Sequence, residues 1–139
     1  MSASVKLSSK LPGDAEINGL DDRADWLEDN PDELLVVVAY LQVPPDERRT
    51  AARNAVRMLR PGGTLLWVAH DSTNLDQGTG GPQDPAVLMT AEDVVADVED
   101  LGVEVERADR VERVVPVADE HGGEEDRTAY DCLVRLRRR

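Results

Sequence analysis

Two apolar runs separated by a helical stretch constrain this chain more than any other feature. Residues 33–41 read ELLVVVAYL and residues 64–69 read TLLWVA, dense in aliphatic and β-branched side chains. Runs of this kind suit strands covered on both faces, which belong to sheets with helices packed against them. The strands are predicted over about 34–40 and 64–69. Pro44 and Pro45 stop the first run and are tolerated in the first turn of a helix. Ala52, Ala55, Val56 and Leu59 then recur at i, i+3, i+4 and i+7, the single apolar stripe of a helix over about 45–59. Pro61-Gly62-Gly63 ends it, because proline cannot continue a helix and glycine takes the left-handed dihedrals that reverse a chain.

The pattern continues downstream. HDSTNLDQGTGGPQDPAVLM is a long loop dense in Gly, Pro, Asn and Asp, of the kind that in a compact domain is functional or disordered. Thr90 opens a second helix with Asp93 three residues on, a capping-box spacing, and Val94, Val98 and Leu101 form its stripe before Gly102. A third strand starts at Val103, alternates Val103 and Val105 with Glu104 and Glu106, and continues through Val111 to Val115. A polar turn at His121-Gly122-Gly123 leads to a fourth, in which Tyr130, Cys132, Val134 and Leu136 share a face. The order strand, helix, strand, helix, strand, strand predicts an α/β fold: a parallel sheet closed by one antiparallel strand. Its domain is expected over 25–139, with a short strand over 24–30. Residues 1–24, rich in Ser, Asp and Gly, are expected to form an irregular or disordered arm.

Composition narrows the function classes. Asp and Glu outnumber Lys and Arg 29 to 16 for a net charge of −13, a surface that nucleic acid and anionic membranes would repel. With no Phe, two Trp and two Tyr, a base-stacking platform is not expected either. One cysteine, Cys132, allows neither an intrachain disulfide nor a cysteine metal cage, which fits a reducing compartment. MSASVKLSSK has no apolar core of a signal peptide, and no run approaches bilayer length, so a cytoplasmic location is expected.

ELLVVVAYLQVPP, the LRPGG turn before a buried strand, the HDSTN and GGPQDP elements of the long loop and the closing antiparallel strand together resemble the C-terminal half of a class I S-adenosylmethionine-dependent methyltransferase, in particular bacterial small-molecule enzymes of the tellurite-resistance type. The resemblance spans roughly 25–139 and implies a partial Rossmann-like sheet, S-adenosylmethionine as cofactor and a small-molecule substrate. In that family a glycine-rich turn lies against the methionine part of the cofactor, since only glycine lets main chain approach so closely, and a later acidic residue holds the ribose. Ahead of residue 34 this chain offers only LPGDAEINGL, with Gly13 and Gly19 six apart and no apolar strand before either. The cofactor-binding half is therefore expected to be missing. Gly78–Gly81, GTGG, lies in the long loop without a strand–turn–helix context and reads as loop flexibility.

Candidate site residues follow from position and from the resemblance. Asp29 and Asn30 fall where the family places an acidic residue near the adenine, or form a solvated turn before Pro31. Ala39 and Tyr40, with Gln42 beyond them, lie at the C-terminal end of a strand, the edge where open α/β sheets bind ligands. The resemblance makes the first two cofactor-lining and Gln42 substrate-lining; ordinary strand-end packing is the other reading. His70 and Asp71 end the next strand on the same edge and offer a general base with a carboxylate, although adjacent strand residues point to opposite faces and would not readily pair. A hydrogen-bonded structural histidine is the alternative. Asn74 is a substrate-cleft candidate or, with Asp71, a turn cap. His121 among Asp119, Glu120, Glu124, Glu125 and Asp126 matches no metal spacing, so no metal site is expected.

Two functions are thus expected to compete. One is a methyltransferase-family protein, truncated and weakly active or inactive alone. The other is a non-catalytic binding or assembly module pairing through the strand at 34–40, with itself or a partner chain, because that strand's outer edge needs cover. That cover could also come from residues 1–33. A truncated or mis-started product is the third option.

Overall fold

The computed structural model describes residues 4–7, 16–17 and 31–139. The elements in chain order are β1 (Ser4–Leu7), β2 (Glu16–Ile17), β3 (Glu33–Ala39), α1 (Pro45–Met58), β4 (Leu59–His70), α2 (Asn74–Gln77), a 3-10 turn (Pro85–Val87), α3 (Ala91–Val98), β5 (Val103–Ala118) and β6 (Glu124–Arg138). They build one six-stranded sheet in the order β2-β1-β3-β4-β6-β5. β3 and β4 are parallel neighbours, while β6 lies antiparallel between β4 and β5. The predicted α/β order therefore holds from β3 onward, and the last strand inserts beside β4 rather than at the sheet's margin.

The two strands β1 and β2 fall within the arm expected over 1–24; the other residues of that arm, and the strand expected over 24–30, lie outside the described residues. β1 runs antiparallel to β3, with Ser4 opposite Ala39 and Leu7 opposite Val36. The outer edge of β3 is thereby covered by the chain itself, the first of the three covers the sequence left open.

Both long helices pack on one face of the sheet. Val36 and Val38 of β3, Leu65, Trp67 and Ala69 of β4, and Cys132, Val134 and Leu136 of β6 are fully buried there against Ala52, Ala55 and Val56 of α1 and Val94 and Val98 of α3. Cross-strand registry explains the shared face: Val36 lies opposite Leu65 and Leu65 opposite Leu136. The opposite face carries Val37, Leu66, Val68 and Leu133, which are half-buried, so the two-sided cover expected from the unbroken apolar runs is complete on one side only among the described residues. The helices are pinned to each other as well as to the sheet. Arg48 of α1 donates from Nε to Asp97 Oδ2 of α3 at 2.7 Å, with both side chains about nine-tenths buried. The capping box at Thr90 and Asp93 forms in both directions and fixes the start of α3.

β4 begins earlier than its apolar run. Leu59 already has extended dihedrals and pairs with Glu33, and the pairing resumes at Leu35 with Thr64, so Arg60 to Gly63 loop out between the two. Gly63 makes this possible: a Cβ there would lie 2.6 Å from the Glu33 carbonyl oxygen. β5 and β6 are longer than β4 needs. β6 pairs with β4 only from Asp131 to Arg137, and the remainder forms a two-stranded ribbon with β5 that runs on past the ends of β3 and β4.

Candidate functional site

The C-terminal ends of β3 and β4 and the base of the β5–β6 ribbon bring together a polar cluster. At the end of β3 the chain turns through Tyr40, the one described non-glycine residue with positive φ, at 57°. Its amide donates to the Val68 carbonyl at 2.7 Å, which fixes a backbone conformation that a bulky side chain seldom adopts. The turn aims the phenol away from β3, and its hydroxyl donates to Asp131 Oδ2 at 2.8 Å.

Asp131 is the hub. It stands on β6 directly opposite His70 of β4, 3% exposed, on the face away from the helices. Arg113, from the ribbon strand β5, donates to it through Nε at 3.0 Å and Nη2 at 3.4 Å. His70 Nδ1 lies 3.6 Å from Asp131 Oδ1, and the His70 and Tyr40 rings are 5.0 Å apart, tilted by 44°. The Arg113 guanidinium carbon sits 5.8 Å over the Tyr40 ring. Three side chains, from the end of β3, from β4 and from β5, thus converge on one carboxylate of β6.

The electrostatics follow from burial and that carboxylate. Burial pushes the His70 imidazole below its ordinary value of 6.5, the Arg113 cation adds to the effect and Asp131 opposes it, so the ring is neutral at pH 7. Burial, then the hydrogen bond to Asp131, raises the Tyr40 phenol above 10.0. The hydrogen bond to Asp131 raises Arg113 above its ordinary value. Cys132, next to Asp131 but on the core face, has its thiol pushed up to about 12 by burial and is a packing residue.

The long loop is tied to the same place. Gln42 bridges two elements: its Oε1 accepts from the His70 amide at 2.8 Å and its Nε2 donates to the Val87 carbonyl at 2.5 Å. Asn74, 2% exposed, accepts from the Tyr130 amide at 2.9 Å and donates to the Gly80 carbonyl at 2.9 Å. Gly81, with φ of 75°, lies against the His70 ring so closely that a Cβ would come 3.1 Å from Nδ1.

Tyr40, Gln42 and His70 therefore gather at one edge, and Ala39 lies directly before Tyr40 in β3. Asp71 does not join them. Its Oδ1 accepts from the Thr73 amide at 3.0 Å and hydroxyl at 2.7 Å, capping the turn into α2. The adjacency of His70 and Asp71 thus gives no pair, as strand alternation requires, and the carboxylate beside the imidazole is Asp131. Asn74 is a buried tie between loop and β6 in this arrangement. Asp29 and Asn30 lie outside the described residues. Asp119 closes the ribbon's turn by accepting from the His121 and Gly123 amides, and no cluster of three or more metal-ligating side chains occurs among the described residues. Asp131 and Arg113 were missed because only the β4–β6 and β5–β6 registers bring them to His70; the one trace in the sequence is a carboxylate between two inward residues, Tyr130 and Cys132, of the last strand.

No protein-family model matches the sequence, and no curated protein matches it. Solved structures do. A SAM-dependent methyltransferase from Anabaena variabilis superposes with a TM-score of 0.59 at 12% identity, over 87% of this chain and 55% of that one. TehB from Haemophilus influenzae superposes with a TM-score of 0.56 at 14% identity, over 84% of this chain and 39% of that one. The chain spans about half the length of these two neighbours, and identities this low bear on fold alone. The chain has the class I fold of the S-adenosylmethionine-dependent methyltransferases.

Proposed function

We propose that the chain is a methyltransferase-family protein that carries the substrate-side half of the fold, with S-adenosylmethionine as methyl donor and a small molecule as acceptor, and that alone it is weakly active or inactive. The observation that supports this most is what flanks β3. In the resembled family a parallel strand ending in a glycine turn stands there; here the place is taken by β1, antiparallel, with Ser4 at the level of Ala39. An antiparallel strand presents its start, not its end, at the ligand edge, so it cannot deliver a glycine turn to that edge. The glycines with positive φ among the described residues are Gly62, Gly80, Gly81, Gly102 and Gly122, all after β3. The described residues supply one wall of a cofactor site and not the close main chain that the methionine part needs, so no step of a transfer is derived through that group.

The chain's own residues define what that wall does. Tyr40, held by the Val68 carbonyl and Asp131, and Ala39 before it form the cofactor-side rim. Gln42 ties the long loop to β4 beside it. His70, neutral at pH 7, is a base, and Asp131 positions the ring from across the strand pair. S-adenosylmethionine supplies an electrophilic methyl group when bound, and transfer from it relies largely on holding the acceptor in line. A cytoplasmic setting goes with this reading, and no helix among the described residues is long and apolar enough to cross a membrane.

The assembly module pairing through the strand at 34–40 is the weaker reading, since β1 and β4 occupy both edges of β3. Isothermal titration of S-adenosylmethionine into the purified chain tests the proposal. Absence of saturable heat up to millimolar ligand is expected, whereas a micromolar Kd means a complete cofactor site and overturns it.

A further inference from the structure

The sheet ends on β5, a 16-residue strand whose outer edge has no neighbouring strand among the described residues. Its backbone orientation can be read from Pro116. Proline has no N–H to give to a ladder, so within a strand it is accommodated where its nitrogen faces away from the paired neighbour. With strand alternation, Ala108, Arg110, Glu112 and Val114 then also turn their amides and carbonyls toward the open edge.

We propose that a second copy of this chain pairs antiparallel along this edge, with Val111 on the two-fold axis. In that register Ala108 stands opposite the partner's Val114, Asp109 opposite the partner's Arg113, and Arg110 opposite the partner's Glu112. Every opposed pair of charges has opposite sign. The even-numbered pairs, with outward backbone, are the hydrogen-bonded ones. Val114, 67% exposed in the single chain, gains an apolar partner. Pro116 falls against the partner's Glu106, the extra residue at the irregularity between Val105 and Arg107 where the ladder is already interrupted. The two strand breakers thus mark both ends of the pairing.

The register is specific. Two-fold symmetry allows shifts only by whole pairs, which change the register by two residues, because odd shifts put opposed side chains on different faces. A shift one way sets Arg110 on the partner's Arg110 and Arg107 on the partner's Arg113. A shift the other way sets Glu112 on the partner's Glu112. Edge strands commonly use charges to repel other chains, but the charges here are arranged to match themselves.

Sedimentation equilibrium on the full chain at low salt tests this. A species of twice 15.3 kDa is expected. Arg110→Glu and Glu112→Arg each convert two attractive pairs to repulsive ones by symmetry and are expected to raise the dimer Kd about tenfold or more. The double variant restores opposite signs and is expected to recover the dimer to within about threefold of the parent. That recovery also shows that the single variants did not act by unfolding. A monomer at every concentration up to millimolar, a dimer indifferent to both single variants, or a double variant weaker than either single one overturns the proposal.

Discussion

Removing the shared carboxylate is the sharpest perturbation of the candidate site. Asp131→Ala deletes the acceptor of the Tyr40 hydroxyl at 2.8 Å and of Arg113 at 3.0 Å. A hydrogen bond between neutral groups contributes about 1 kcal/mol net and one to a charged group about 1.5–3 kcal/mol. The carboxylate is charged and 3% exposed, so both bonds belong near the upper range, but two corrections lower the sum. The Arg113 side chain is 42% exposed and rehydrates once released, which discounts its share. Deleting a buried carboxylate also recovers part of its desolvation cost. A net loss of about 2 kcal/mol is expected, which at a urea m-value of about 1–2 kcal/mol/M lowers the midpoint by about 1–2 M. Equilibrium unfolding in urea reads it. A second readout is independent of stability: Asp131 opposes the depression of His70, so in the variant the imidazole titrates lower still by NMR. A change below about 0.5 kcal/mol together with an unmoved His70 titration would refute the hub assignment.

Other consequences can be checked with the same methods. His70 is held below 6.5, so as pH falls through that value the unfolded chain takes up a proton that the folded chain does not. Its contribution to stability is therefore complete above 6.5 and declines as pH drops toward the folded value. His70→Gln is expected to flatten urea midpoints measured between about pH 7 and about pH 5; an unchanged decline would assign the effect elsewhere. Gly63→Ala places a methyl 2.6 Å from the Glu33 carbonyl oxygen and 3.1 Å from the Leu59 side chain, and an expected loss of about 2 kcal/mol or more appears as a lower melting temperature. Asn74→Ala unties the Gly80 carbonyl and the Tyr130 amide, and is expected to cost about 2 kcal/mol and to raise amide exchange around Gly78 to Gly81.

How much of this was legible in the sequence depended on whether the cause was local. Val36, Val38, Leu65 and Trp67 announce themselves by composition, the stripe at Ala52, Ala55 and Val56 by period, and Thr90 with Asp93 by capping spacing. Each is a property of a few neighbouring residues. The start of β4 at Leu59 was hidden because it depends on Gly63 letting the chain loop past Glu33. The site was legible as an edge: Ala39, Tyr40, Gln42 and His70 lie at strand ends that the strand–helix–strand order puts side by side. Its chemistry was not, because Asp131 and Arg113 come to His70 through the registers of a ribbon 43 to 61 residues away in sequence, and nothing local encodes a register. Asp71 shows the converse: nearness in sequence offered a carboxylate for His70, strand alternation argued against the pair, and the side chain caps the turn at Thr73, the alternative the sequence also allowed.

The central claim is that the described residues build a substrate-side wall without the main chain that holds the cofactor's methionine part. An NMR titration of the labelled chain with S-adenosylhomocysteine tests it residue by residue. The account predicts small, non-saturating shifts up to millimolar ligand, confined to amides around Ala39 to Gln42 and His70. Saturation at micromolar ligand, with the largest shifts at Gly13 or Gly19, would contradict it.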